Sequence, residues 1–81
     1  MESMDSVVRG RKHTYEIKVR VRPPKPGVVE IDTFFEITAT DEAENLVHSE
    51  IFRMKPEDRQ SDLQFLVDNM KRNAEWDFNP P

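Results

Sequence analysis

The chain has 81 residues, 36% of them apolar and 35% charged, with no cysteine and a net charge of −4. That length holds one domain with a small core and a thin stability margin, the missing thiols exclude disulfides and thiolate metal sites, and no apolar run reaches the roughly 18 residues a membrane span needs. Residues 1–26 carry seven Lys/Arg against three Asp/Glu while residues 27–81 carry five against thirteen, which excludes a wholly basic nucleic-acid-binding domain but leaves room for a basic patch near the N-terminus.

Residues 1–8 are polar and aperiodic and read as a flexible arm, with no apolar signal-peptide stretch, so a cytoplasmic protein is expected. The basic run Arg9-Gly10-Arg11-Lys12-His13 leads into Tyr15–Arg22, where every second residue is apolar, the period of a strand with one face on a core. Pro23-Pro24-Lys25-Pro26-Gly27 interrupts it, since proline lacks the N–H a ladder requires. Val29, Ile31, Thr33, Phe35, Ile37 and Ala39 restore the alternation. The pattern predicts an antiparallel β-hairpin of about 14–22 and 28–39. If Arg22 pairs with Val28, Arg20 falls opposite Glu30 and Lys18 opposite Asp32, and both the apolar and the charge pattern support that register.

Thr40-Asp41-Glu42-Ala43-Glu44 has the form of a helix start, with Asp41 and Glu44 at capping-box spacing. Ala43, Leu46, Val47, Ile51 and Met54 then make a helical stripe, which predicts a helix over about 41–54. Leu63, Leu66, Val67, Met70 and Ala74 make another and predict a helix over about 57–73, although Leu63, Phe65 and Val67 also fit a third strand. Residues 76–81 read as an extended tail. The expected architecture is a ββαα, α+β domain over residues 9–75, a hairpin packed by one or two helices.

The run Phe35-Glu36-Ile37-Thr38-Ala39-Thr40-Asp41-Glu42-Ala43 resembles the strand-to-helix joint of small bacteriophage proteins, including phage inhibitors of host RNA polymerase and anti-CRISPR proteins, and is similar to the joint in some archaeal ribosomal proteins. It covers nine residues and carries over no functional residue.

Catalytic, metal and cofactor motifs are absent: His13 and His48 sit near no nucleophile, P-loop or HExxH spacing, and no cofactor is expected. Two binding readings follow. Phe34 breaks the charged face of the hairpin, and Phe52, Phe65, Trp76 and Phe78 fall off the main stripes, so these five are the candidate protein interface of a small non-enzymatic module. Such a module suits a phage- or mobile-element-type modulator or inhibitor of a host protein complex. The free strand edges predict a homodimer as well. The alternative is a nucleic-acid accessory protein using Arg9, Arg11, Lys12, Lys18, Arg20 and Arg22.

Overall fold

The structure, a computed structural model, describes residues 4–80. Four antiparallel strands, β1 (Ser6–Arg9), β2 (Thr14–Arg22), β3 (Thr33–Thr40) and β4 (Leu46–Met54), lie in the order β1-β2-β3-β4, and one helix, α1 (Gln60–Glu75), packs on one face. The class is α+β, as the alternation implies, with a single helix in place of two.

The β2 and β3 faces follow the sequence period. Tyr15 and Ile17 from β2 and Ile37 and Ala39 from β3 are buried under Leu63, Val67, Met70 and Ala74, the inner stripe of α1. Val8, Val19, Phe35, Phe52, Met54, Leu66 and Phe78 pack around that centre. The Arg59 N–H donates to Asp62 Oδ2 at 2.8 Å, so an acidic side chain both closes the first turn and complements the helix dipole.

The register differs from the one the charge pattern suggests. Arg22 faces Phe34, not Val28, and Val19 faces Ile37, Val21 faces Phe35 and Arg20 faces Glu36. The displacement is an even number of residues, so every side chain keeps its face while every partner changes. Residues 23–32 become a loop. Pro26-Gly27 occupies the centre of a turn closed by the Val28 N–H on Lys25 O at 3.1 Å, and Gly27, at φ 79°, has the positive angle that a type II turn demands. The Arg20–Glu30 and Lys18–Asp32 pairs do not form: Arg20 meets Asp5 and Lys18 meets Glu16.

The segment expected as a helix over 41–54 is a tight turn and β4. Asp41 Oδ1 accepts from the backbone N–H groups of Ala43 and Asn45 at 3.0 and 2.9 Å, a side-chain-capped turn rather than a helix start. Glu44 adopts φ 64°, which breaks any helix there. Beyond it, β-branched and aromatic residues pair with the open edge of β3, with Phe35 facing Phe52 and Thr38 facing Ser49. No helix therefore follows Thr40, and the strand-to-helix resemblance falls with it. Residues 6–8, read as part of the arm, pair with β2 together with Arg9, Val8 against Tyr15; residues 1–3 of that arm and Pro81 of the tail lie outside the described residues. The remainder of the tail turns back on the fold instead of extending. The second helix begins and ends slightly later than the stripe alone suggests.

Gly10 is buried where the β1–β2 turn meets the end of α1. A Cβ there would stand 2.5 Å from Asp77 Oδ1, 2.6 Å from Ala74 O and 2.9 Å from Tyr15 Cε2. Two of these neighbours are held by hydrogen bonds that prevent retreat. Gly10→Ala should cost about 1–3 kcal/mol of unfolding free energy, the usual penalty for overpacking, measured by urea denaturation; an unchanged midpoint would mean that this junction is loosely packed.

Candidate interaction surfaces

The carboxylate of Asp77 organises one end of the molecule. α1 ends in a Schellman motif, with the Asp77 N–H on Ala74 O at 2.9 Å and the Phe78 N–H on Asn73 O at 2.8 Å. The left-handed position usually given to glycine is held by Asp77, at φ 53°, and Phe78 follows at φ 58°. That choice has a consequence for the first hairpin. The Asp77 carboxylate accepts from the backbone N–H groups of Arg11, Lys12 and His13 at 2.9–3.2 Å and from the Tyr15 hydroxyl at 2.7 Å. Phe78 stands edge-on to Tyr15, ring centroids 5.3 Å apart, and stacks on His48 at 5.1 Å. Glu42 closes the same end, accepting from the Thr14 N–H at 2.8 Å and pairing with His13 Nδ1.

Protonation follows from these contacts. Burial opposes charge on Asp77, but the Tyr15 hydroxyl and the three turn N–H groups outweigh it and hold the carboxyl below its ordinary range. Glu42 is also lowered, first by the Thr14 N–H and then by His13. Burial, then the bond to Asp77 and its charge, pushes the Tyr15 phenol up to about 12.

The opposite end is the β2–β3 loop, exposed from Val21 through Ile31. Val29 is 95% and Ile31 83% exposed, with Val21 and Val28 beside them. Phe34 sits at the base of the loop on the sheet face that α1 does not cover, between Arg22 and Arg53 in register, and the Arg53 guanidinium lies 5.9 Å from its ring. Arg53 also pairs with Asp32, fixing the end of the loop.

The five aromatic candidates do not form one patch. Phe52 and Phe78 pack against the core. Phe34 is half-buried on the uncovered face, Phe65 is 64% exposed on the solvent side of α1, and Trp76 lies at the helix end with the Arg11 guanidinium 4.0 Å from its ring. The basic candidates divide too. Arg9, Lys18, Arg20 and Arg22 share the uncovered face, where Arg9 donates to Thr14 Oγ1 at 3.1 Å and Arg20 grips Asp5 with both terminal nitrogens at 2.9 and 3.0 Å. Arg11 and Lys12 lie in the β1–β2 turn.

Sequence reasoning missed Asp77 and the exposed Val28, Val29 and Ile31. The valines and isoleucine keep strand alternation by chance of spacing, and only Pro26-Gly27 signals a turn late in the segment. The helix end without glycine at Trp76-Asp77-Phe78 was the available sign of an unusual cap.

No family model, curated protein or solved structure matches the chain. Among the described residues no helix is long and apolar enough to cross a membrane, and no group of three or more His, Asp or Glu gathers to hold a metal.

A lowered carboxyl stabilises the fold above its unfolded pKa, and that contribution disappears as pH falls through the folded value; a raised phenol stabilises below pH 10 and loses its effect as pH rises toward about 12. Tyr15→Phe should therefore cost about 1.5–3 kcal/mol at neutral pH, the range for a hydrogen bond to a charged group, and should shrink the alkaline loss and the Asp77 share of the acid loss while leaving the share of Glu42 in place. Denaturant unfolding across pH reads both limbs, and an unchanged alkaline limb would count against the Tyr15–Asp77 bond.

Proposed function

We propose that the chain is a non-enzymatic protein-binding module that docks a partner through the end of its β2–β3 hairpin, in the manner of a small modulator of a larger protein machine. The observation that carries this reading is the exposed apolar loop. Val29 and Ile31 stand in water beside Val21 and Val28, and fully burying such side chains is worth on the order of 1.5–3 kcal/mol each. An exposed apolar loop that also carries Arg22, Lys25 and Glu30, which line one hollow with Pro23 and Phe34, has the composition of an interface centre and its polar edge. The Pro26-Gly27 turn and the Arg53–Asp32 pair restrain the loop before binding, which lowers the ordering cost of association. Phe34 belongs to this surface as its base.

The nucleic-acid reading draws less support. Lys18 and Arg20 are paired with Glu16 and Asp5, so phosphate contacts there would first have to break ion pairs. Self-association through the hairpin tip is a second occupant of the same surface.

The double variant Val29→Asp/Ile31→Asp should change unfolding free energy by less than about 0.5 kcal/mol, as exposed positions do, and should abolish capture of the partner that the unaltered chain retains from its native cell extract, read by quantitative mass spectrometry. If every captured polypeptide stays bound to the variant, the hairpin end is not the docking surface. A concentration-dependent dimer that the same variant dissolves would reassign the surface to self-association.

A further inference from the structure

At the other end of the sheet, β1 is an edge strand, and its open side runs along α1. Between them lies a cleft of about 610 Å³ lined by Val7, Arg9, Gly10, Lys71, Glu75 and Trp76 among others. The backbone of β1 sets what this cleft offers. The Gly10 N–H bonds His13 O at 2.8 Å, and antiparallel pairs alternate between bonded and unbonded, so Ser6 and Val8 direct their peptide groups to β2. Val7 and Arg9 then direct their N–H and C=O groups to the open edge. Val7 is 73% exposed.

The charges around the cleft select what approaches it. Among the described residues the ion pairs are His13–Glu42, Lys18–Glu16, Arg20–Asp5, His48–Glu50 and Arg53–Asp32, so Arg9, Arg11, Lys12 and Lys71 close on no carboxylate. Arg11, lying over Trp76, keeps its charge, because a cation–π contact does not neutralise it. Glu75 is the one acid of the lining. Of the nine lysines and arginines outside those pairs, these four thus stand at or beside one strand edge, and three of them, Arg9, Arg11 and Lys71, line the cleft against the single carboxylate of Glu75.

We propose that this cleft takes an extended acidic segment of a partner polypeptide, which adds to the sheet as a fifth strand beside β1. Its backbone would complete the ladder of Val7 and Arg9. Alternate side chains would meet Arg9 on the uncovered sheet face and Lys71 and Arg11 on the helix side, with Trp76 as the apolar wall. The backbone edge favours polypeptide over nucleic acid, since a phosphate chain offers no matching sequence of donors and acceptors. Arg9 on a short edge strand also disfavours pairing with the same strand of a second copy, where arginine would approach arginine. The site shares no residue with the hairpin tip, so either reading can fail while the other stands.

The test uses three fluorescent probes against the full chain: the peptide Glu-Glu-Val-Glu-Glu-Val-Glu-Glu, which carries acids on both faces of an extended strand, its lysine counterpart, and oligouridine. The acidic peptide should bind at least tenfold more tightly than the basic one, and the Val7 and Arg9 amides should shift on binding. Val7→Pro removes the outward N–H and spares the ladder to β2, and Lys71→Glu reverses a wall charge; each should weaken the acidic peptide at least tenfold. Lys71→Glu keeps the test decisive if Val7→Pro fails to fold. Equal affinity for both peptides, unaltered binding in Lys71→Glu, or oligouridine displacing the acidic peptide from the same amides would each overturn the proposal.

Discussion

The Asp77 carboxylate is the contact on which the small domain depends, because it joins the last turn of the helix to the first turn of the sheet. Three successive N–H groups of residues 11–13 and the Tyr15 hydroxyl converge on it, an anion in a concave run of backbone donors. The conformation that places it there is unfavourable for a residue with a Cβ, since φ is 53°. Glycine would relieve the backbone and lose the anchor. The same geometry requires that Gly10 have no side chain and that Phe78 close over Tyr15, so two positions near each end of the chain are tied to one bond network.

That network explains how so few residues hold four strands and one helix. α1 makes its nearest backbone approaches to β1 and β2, so the half of the sheet formed by β3 and β4 relies on side chains, Phe35, Phe52, Met54 and Leu66, for its cover. Fixing both ends of α1, by Asp62 at its start and Asp77 just past its end, holds the helix across β1 and β2 in the absence of a second helix. It also leaves the far hairpin end exposed and one sheet face without a helix.

How far the fold was legible depends on which interactions were local. Alternation in Tyr15–Arg22 and Phe34–Ala39 assigned the faces of β2 and β3 correctly, because a strand's period needs no knowledge of its partner. Register was not legible: Val28–Asp32 continue the alternation, and Arg20 and Lys18 find plausible acids at Glu30 and Asp32, yet the prolines and Gly27 make the loop run to residue 32. Leu46–Met54 carries a stripe that fits a helix equally well, and only the open edge of β3, a nonlocal demand, makes it a strand. Asp77 resembled an ordinary tail residue. Trp76, Arg9 and Arg11 were singled out for separate reasons and lie at or beside one cleft.

Amide hydrogen exchange at the β1–β2 turn tests the central role of Asp77 most directly. In the unaltered protein the Arg11, Lys12 and His13 amides should exchange slowly, although they lie in an exposed turn. In Asp77→Asn, which keeps the size and weakens the acceptor, all three should lose protection together, along with the last turn of α1. Protection that persists at residues 11–13 in that variant, or fast exchange there in the unaltered chain, would contradict the account.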